Sequence, residues 1–121
     1  MSISALQLKI TDTPFDPDSN DKIIHTRVST SGKKLYKVWI SLEGQDLVFV
    51  RQVKYILHPT FGQREHTLER SFTNPKFRMF IYTWGIFEVK AIVEARRGSY
   101  ELRHTLEYDR KFAEATRMVA E

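Results

Sequence analysis

The chain has 121 residues, a formal net charge of +4 and no cysteine. This length predicts a single domain over residues 1–121, large enough to bury a core of its own. The missing cysteines exclude disulfides and thiolate metal sites. No apolar run approaches the roughly 18–20 residues of a membrane-spanning helix, and the N-terminus shows no secretory signal pattern, so we expect a cytoplasmic protein without membrane association.

The first half of the chain alternates apolar and polar residues, which is the pattern of half-buried β-strands. Predicted strands cover residues 6–10, 23–29, 36–42, 48–58, 65–72 and 77–81. The polar segment 11–21, which is rich in aspartate and proline, is predicted to be a loop, and its role is open.

The second half gives the cleanest alternation. Apolar residues alternate from 87 to 95 and again from 100 to 108, with a tight hairpin connection at 96–99. The spacing changes after Asp109, a predicted N-cap, and residues 112, 115, 116 and 119 predict a short C-terminal helix. About eight strands with turn signals between them predict an all-β fold, a β-sandwich.

Catalytic and metal-binding patterns are missing from the sequence. The histidines, at positions 25, 58, 66 and 104, lack the spacing of metal ligands. The chain has neither a glycine-rich phosphate loop nor the Gly-x-Ser-x-Gly turn of a serine nucleophile. We therefore expect a protein that is not an enzyme and that holds no metal or cofactor.

Basic residues are dispersed as single residues and pairs, such as 33–34 and 96–97, and they form no block. A solvated surface of mixed charge accounts for this arrangement, while the basic balance permits weak electrostatic contact with nucleic acid. We expect no specific nucleic-acid partner. The sequence leaves the oligomeric state open.

Two segments place a large aromatic ring on a predicted loop. Pro59 has no N–H for a strand ladder and stops the fourth predicted strand, and Phe61 follows it. Trp84 is followed by Gly85 in the second segment. If the two loops lie side by side, the rings form the walls of a slot for a flat, apolar group that bears an amide. The alternative, which spacing alone leaves open, is that both rings cap the ends of the sandwich.

An amide in such a slot needs hydrogen-bond partners, because burying a polar group without one is unfavourable. The candidate donors are the Thr60 hydroxyl and the backbone N–H groups at Trp84 and Gly85. His58 is placed to orient the hydroxyl.

Two motifs resemble a known family. Residues 54–61 read KYILHPTF, and residues 84–87 read WGIF. Together they resemble the YEATS domain, an immunoglobulin-like β-sandwich that reads acylated lysine. The resemblance is firm from about residue 35 to residue 87 and continues weakly to residue 108. It implies an all-β immunoglobulin-like β-sandwich whose partner is an acylated-lysine protein or peptide, of the acetyl or crotonyl type.

The resemblance also implies roles for the matched positions. The implied ligand-binding residues are His58, Thr60, Phe61, Thr83, Trp84 and Gly85. Phe61 and Trp84 match the aromatic pair that sandwiches the acyl chain. Thr60 matches the hydroxyl that bonds the acyl-lysine carbonyl, together with the backbone N–H at Trp84, and His58 matches the histidine that supports this hydroxyl. The remaining two match positions at the open end of the slot.

The chain departs from the animal members at several positions. The His-x-Trp signature of the third strand is replaced at 36–38, and Lys34 stands where animal domains place a third aromatic ring. The family's proline pair is reduced at 75–76, and the hairpin at 96–99 is shorter than the eukaryotic insertion. These features resemble the prokaryotic YEATS branch, whose members occur in signalling or defence systems, and they argue against histone-tail recognition.

The favoured hypothesis is therefore a non-enzymatic module that reads acylated lysine through an aromatic slot. The first alternative is a scaffold module of a prokaryotic signalling or defence system that uses the same loops without reading any modification. The second is a weak electrostatic binder of nucleic acid, which predicts a steep dependence of binding on salt.

Overall fold

The computed structural model describes residues 7–121. Over this range the chain forms nine strands: β1 Lys9–Thr13, β2 Ile23–Val28, β3 Lys34–Glu43, β4 Val50–Ile56, β5 Glu65–Glu69, β6 Met79–Thr83, β7 Glu88–Ala95, β8 Gly98–Thr105 and β9 Arg117–Ala120. Two 3-10 helices, Gln45–Phe49 and Tyr108–Glu114, complete the regular structure of this range. Neither helix in residues 7–121 has the length and apolar character that crossing a membrane requires.

The chain forms two compact units. The first unit contains residues up to Thr11 together with Ser41–Arg78 and Phe87–Thr105. The second unit contains Asp12–Ile40, Met79–Ile86 and Leu106–Glu121. The prediction of a single domain over residues 1–121 stays a prediction.

A four-stranded antiparallel sheet lies in the first unit, in the order β5-β4-β7-β8. Its buried face follows from the alternation in the sequence, because successive side chains of a strand point to opposite faces. The fully buried residues on β4 and β7 are Val50, Val53, Tyr55, Val89, Ala91 and Val93. Each buried valine contributes about 1.5–3 kcal/mol relative to an exposed one. The predicted alternation from 87 to 95 is confirmed.

The predicted sixth strand began at residue 77, but β6 begins at Met79. Phe77 has a φ of 52°, a left-handed backbone conformation that a strand cannot adopt. Its ring is fully buried, and its carbonyl accepts a hydrogen bond of 2.7 Å from the Tyr55 hydroxyl. The Asn74 side chain also forms two hydrogen bonds of 2.8 Å with the Arg78 backbone: its Nδ2 donates to the carbonyl, and its Oδ1 accepts from the N–H. These contacts keep Phe77 in its strained conformation, so the strand begins only at Met79.

Other strand boundaries in the first half also differ from the prediction. β1 covers Lys9–Thr13 instead of residues 6–10, and Leu6 lies outside the described residues. The segment predicted as the start of the fourth strand forms the first 3-10 helix, which follows Gly44. Gly44 has a φ of 141°, and a Cβ there would lie 2.1 Å from the Gln7 carbonyl oxygen. A close approach of two backbones therefore requires glycine and turns the chain away from an extended course.

The second unit contains most of a five-stranded sheet, in which β2 lies between β3 and β9, and β6 pairs with β3. β9 runs parallel to β2, with His25 opposite Val119. A short C-terminal helix is present as the 3-10 helix Tyr108–Glu114, but the prediction of helix at residues 115, 116 and 119 is wrong, because the chain is extended at Ala115 and forms β9 from Arg117. The prediction of Asp109 as N-cap is wrong, because Glu107 occupies that position without a side-chain cap.

The chain leaves the second 3-10 helix because the free edge of β2 offers hydrogen bonds. Ala115 is extended, and the Thr116 N–H donates to the Lys22 carbonyl at 2.8 Å. At the far end of β9, the Glu121 N–H donates to the Thr26 carbonyl at 2.8 Å. These bonds join residues that are far apart in sequence, and they override the helical spacing of residues 115–119.

Candidate functional site

The loop after β4 carries three of the predicted site residues in the first unit. Leu57 is buried, and its N–H donates to the Arg64 carbonyl at 2.8 Å. The Arg64 Nε donates a hydrogen bond of 2.9 Å to the Leu57 carbonyl, and the two bonds close the base of the loop. Beyond this base, His58 and Thr60 are exposed and Phe61 is half-buried.

His58 and Thr60 form a hydrogen-bonded pair. The His58 Nδ1 lies 2.9 Å from the Thr60 Oγ1 and 3.2 Å from the Thr60 backbone nitrogen. The Phe61 N–H donates to the His58 carbonyl at 3.0 Å, so a tight turn brings the two side chains together. The predicted support of the Thr60 hydroxyl by His58 is therefore present as a direct contact.

The Phe61 ring rests on Phe87. Their ring centroids lie 5.2 Å apart with the planes inclined at 55°. Phe87 also contacts the His58 ring, at 5.9 Å and 58°. Tilted aromatic contacts at such distances are favourable. Phe87 therefore packs against two of the three site residues of this loop, a contact that the sequence did not reveal although the residue belongs to the WGIF motif.

The second unit carries the other three predicted site residues, at the end of β6. Thr83 is buried and lies opposite Tyr36 on β3. Its hydroxyl lies 3.4 Å from the Gly85 backbone nitrogen and 3.3 Å from the Gly85 carbonyl oxygen. Thr83 thus shapes the turn that presents Trp84, whose side chain is 46% exposed.

A cation lies against the Trp84 ring. The Lys33 ammonium is 4.8 Å from the ring centroid, a cation–π contact. A turn between β2 and β3 holds Lys33, whose carbonyl accepts a 2.8 Å bond from the Ser29 N–H. Gly32 precedes it with a φ of 83°, which only glycine adopts freely. The sequence indicated a turn here but gave no sign that its lysine would reach Trp84.

Tyr108 connects the second 3-10 helix to the Trp84 turn through a hydrogen bond. Its hydroxyl donates to the Gly85 carbonyl at 3.1 Å, and burial raises the pKa of this hydroxyl to about 12. The Tyr108 ring packs against Tyr36 at 6.2 Å and against Phe112 at 5.7 Å. The aromatic residue that replaces the family's usual histidine at position 36 therefore supports the base of the Trp84 turn.

Each unit thus presents a partly exposed aromatic ring beside hydrogen-bonding groups. In the first unit these are Phe61 and the His58–Thr60 pair. In the second unit they are Trp84 and the backbone of Gly85, with Lys33 adding a positive charge. Aromatic faces and neutral hydrogen-bonding groups suit planar apolar ligands that carry an amide or carbonyl.

Comparison with known proteins gives a family match. A family model described as the prokaryotic YEATS domain matches residues 35–107, which is more than half of the chain. No curated protein matches the chain. The predicted resemblance is confirmed over the matched residues.

Several solved structures have a similar fold. The yeast AF-9 homolog protein Yaf9 has 16% identity and a TM-score of 0.55, and the match covers 83% of this chain and 64% of that one. The Yaf9 YEATS domain recognizing an H3K122suc peptide has 18% identity and a TM-score of 0.56, with coverages of 88% and 77%. The Yaf9 YEATS domain bound to H3K27ac has 17% identity and a TM-score of 0.53, with coverages of 88% and 78%.

Identities this low establish the fold alone. The predicted class, an all-β immunoglobulin-like sandwich, is confirmed. The chain spans about two thirds of the first of these structures.

Proposed function

Because this chain belongs to the prokaryotic YEATS domain family, we propose that it is a binding module that reads acylated lysine in a partner protein. The observation that supports this most directly is the 2.9 Å contact between the His58 Nδ1 and the Thr60 Oγ1. It holds the Thr60 hydroxyl at an exposed position in the residue that precedes Phe61. Such an arrangement suits a ligand that combines a carbonyl with an apolar chain.

The carbonyl of the acyl-lysine is proposed to accept a hydrogen bond from the Thr60 hydroxyl. For this to happen, the hydroxyl proton must point at the ligand, and the His58 Nδ1 must then donate to the Thr60 oxygen. The backbone N–H of Trp84 is the second donor that the family resemblance implies. Two donors satisfy the two lone pairs of the carbonyl and offset the cost of taking it out of water.

The acyl chain is proposed to contact Phe61 and Trp84 together. The resemblance assigns both rings to one ligand, and each ring has exposed surface that a ligand can cover. Phe87 behind Phe61 and Thr83 beside the Trp84 turn restrict the movement of the loops, which lowers the entropy lost on binding.

Relatives of similar fold were solved with acylated histone peptides, H3K122suc and H3K27ac. For this chain we propose a different partner, an acylated prokaryotic protein of a cytoplasmic signalling or defence system. The changes at 34, 36–38 and 75–76 are the sequence features that support a partner other than a histone tail.

The test is a titration of peptides that carry acetyl-, crotonyl-, benzoyl- or succinyl-lysine, with the unmodified peptide as reference. We expect binding of at least one acylated peptide, weakened by Phe61→Ala, Trp84→Ala and Thr60→Val. Phe80→Ala is the matched control, since Phe80 is 51% exposed and lies outside the proposed site. If no acylated peptide binds the folded protein, the reader proposal fails and the scaffold alternative takes its place.

We also propose that the chain binds acylated lysine without catalysis. Mass spectrometry of the bound peptide after long incubation checks this point. Recovery of the intact acyl group is expected, and release of free lysine peptide would show a deacylase instead.

A further inference from the structure

A second candidate site lies in the first unit, away from the loops that carry Phe61. It is a pocket of about 440 Å³ lined by Val48, Phe49, Arg51 and Arg96. The acyl-lysine proposal uses none of these four residues.

Three local structures bring the lining residues together. Val48 and Phe49 are the last residues of the first 3-10 helix. Arg51 lies at an irregularity in the pairing of β4 with β7, between Val50 and Gln52. Such bulges re-aim a side chain away from the regular alternation of a strand. Arg96 follows β7 in the hairpin turn.

The backbone under the pocket is held by hydrogen bonds. The Arg96 N–H donates to the Phe49 carbonyl at 3.1 Å, which joins the hairpin turn to the 3-10 helix. The Arg70 guanidinium donates to the carbonyls of Leu47 at 3.2 Å and Val50 at 3.0 Å. Hydrogen bonds therefore join the three backbone segments that carry the lining residues.

The lining combines exposed apolar side chains with positive charge. Phe49 is 44% exposed and Val48 is 64% exposed, so apolar surface faces water. Within residues 7–121, no ion pair joins the Arg51 or Arg96 guanidinium to a carboxylate. Some surface cations are paired with carboxylates, as Lys22 is with Glu114 at 2.7 Å. Two guanidinium groups without an acidic partner flank exposed apolar side chains.

We propose that this pocket binds an acidic, apolar segment of a partner polypeptide. A guanidinium matches the geometry of a carboxylate and bonds it in bidentate fashion. The apolar neighbour of that carboxylate in the ligand covers Phe49 and Val48. Arginine and aromatic residues at the centre of a contact are also the types that dominate binding energy in protein interfaces.

The single aromatic ring of the lining favours a polypeptide over nucleic acid. A single-stranded nucleic acid needs successive aromatic faces on which its bases stack. Phe49 is the only aromatic residue among the four that line this pocket. A glutamate beside a leucine or phenylalanine uses both parts of the site.

The test uses a fluorescein-labelled peptide that alternates glutamate with leucine, titrated with the whole chain. The same peptide with glutamine in place of every glutamate measures the contribution of charge. We expect Arg51→Gln and Arg96→Gln each to weaken binding by roughly 10-fold, the typical effect of losing one charged hydrogen-bond partner. Phe49→Ser should weaken it too.

Arg97→Gln is the matched control, because Arg97 is exposed in the same hairpin turn but does not line the pocket. It should change the affinity less than about 2-fold, as expected for an exposed charge without a fixed partner. Unchanged melting temperatures of the exposed variants show that the fold is intact.

Three results would overturn the proposal. The first is no binding of the glutamate peptide at millimolar concentration. The second is an equal loss with Arg97→Gln, which shows diffuse attraction. The third is tighter binding of oligothymidylate that the same pocket variants abolish, which assigns the pocket to nucleic acid.

Discussion

The Lys33 ammonium lies 4.8 Å from the centroid of the Trp84 indole ring, so a positive charge covers part of a ring that we propose as a wall of the ligand site. Cation–π contacts at exposed positions stabilise by about 0.5–1 kcal/mol. In the proposed site, this ammonium is the charge that a ligand stacked on Trp84 would lie nearest to.

Lys33→Gln should lower the preference for an acyl group that ends in a carboxylate. An exposed ion pair contributes about 0.2–1 kcal/mol, so the ratio of succinyl- to crotonyl-lysine affinity should fall by about 2- to 5-fold. Peptide titrations measure this ratio. Lys34→Gln is the control, since the Lys34 ammonium lies 5.7 Å from the Tyr36 ring instead. An unchanged ratio in Lys33→Gln would contradict the prediction.

Truncation to alanine should affect mainly ligand binding at Trp84 and mainly stability at Trp39. Trp84 is 46% exposed, so Trp84→Ala should cost about 1 kcal/mol of stability or less. The free energy of peptide binding should weaken by more than the free energy of unfolding does, because an aromatic contact adds about 0.5–1.5 kcal/mol beyond the contribution of the area it buries. Trp39 is 8% exposed, and Trp39→Ala should cost about 3–5 kcal/mol of stability.

Urea unfolding and peptide titration of both variants separate the two roles. The folded fraction of Trp39→Ala should retain its affinity. A large stability loss in Trp84→Ala without any effect on binding would make this ring a packing residue, and the family match would then mean fold alone.

The His58–Thr60 pair should matter for binding more than for stability. Both side chains are exposed, so Thr60→Val and His58→Ala should each change the free energy of unfolding by about 0.5 kcal/mol or less. Thr60→Val should lower affinity roughly 10-fold, because the ligand carbonyl loses its donor. Thr60→Ser keeps the hydroxyl and should retain most of the affinity. Equal losses in the valine and serine variants would exclude the hydroxyl as the donor.

Nitrogen NMR of the His58 ring tests the same pair by reporting which ring nitrogen carries the proton. In the free protein the Thr60 N–H points at the His58 Nδ1, which favours an unprotonated Nδ1. When the Thr60 hydroxyl donates to a ligand carbonyl, Nδ1 becomes the donor to the Thr60 oxygen. We expect the imidazole tautomer to change when an acylated peptide binds. The same tautomer in both states would argue against this arrangement.

The buried Tyr55 hydroxyl should make the fold sensitive to alkaline pH. Burial raises the pKa of Tyr55 above its usual value of 10.0, so the folded chain holds this proton more tightly than the unfolded chain does. The resulting stabilisation is complete below pH 10 and is lost as the pH rises toward the folded-state pKa. Urea unfolding at increasing pH measures this loss, which Tyr55→Phe should reduce.

At neutral pH, Tyr55→Phe should cost about 1–3 kcal/mol, since the Phe77 carbonyl loses its hydrogen bond. Tyr108→Phe offers a comparison, as the pKa of Tyr108 is raised to about 12 and its hydroxyl bonds Gly85. An alkaline profile of Tyr55→Phe as steep as that of the parent would contradict the assignment.

Nucleic acid should bind weakly at most. Several basic side chains are already paired with carboxylates, among them Arg103 with Glu101 at 2.8 Å. Titration of duplex DNA and of single-stranded RNA at physiological salt is the measurement. Sub-micromolar affinity for a defined sequence would reverse the prediction and favour the electrostatic alternative.

The sequence by itself determined the strands whose side chains alternate, together with the two motifs. The buried face of β7 is readable because the geometry of a strand sends successive side chains to opposite faces. The His58–Thr60 contact is equally local, since a turn of three residues creates it. Pro59 marks that turn in the sequence.

Only the tertiary structure decided the features that depend on residues far apart in the chain. β9 forms because Ile23 and its neighbours offer a strand edge to Arg117–Ala120, whereas local spacing there favours a helix. The left-handed Phe77 is held by Tyr55, and the contact of Lys33 with Trp84 crosses from one turn to another. A local sequence pattern encodes the direction of each side chain, but it does not contain the distant residue that the side chain contacts. The free energy of these contacts depends on that distant residue, so the pattern cannot predict them.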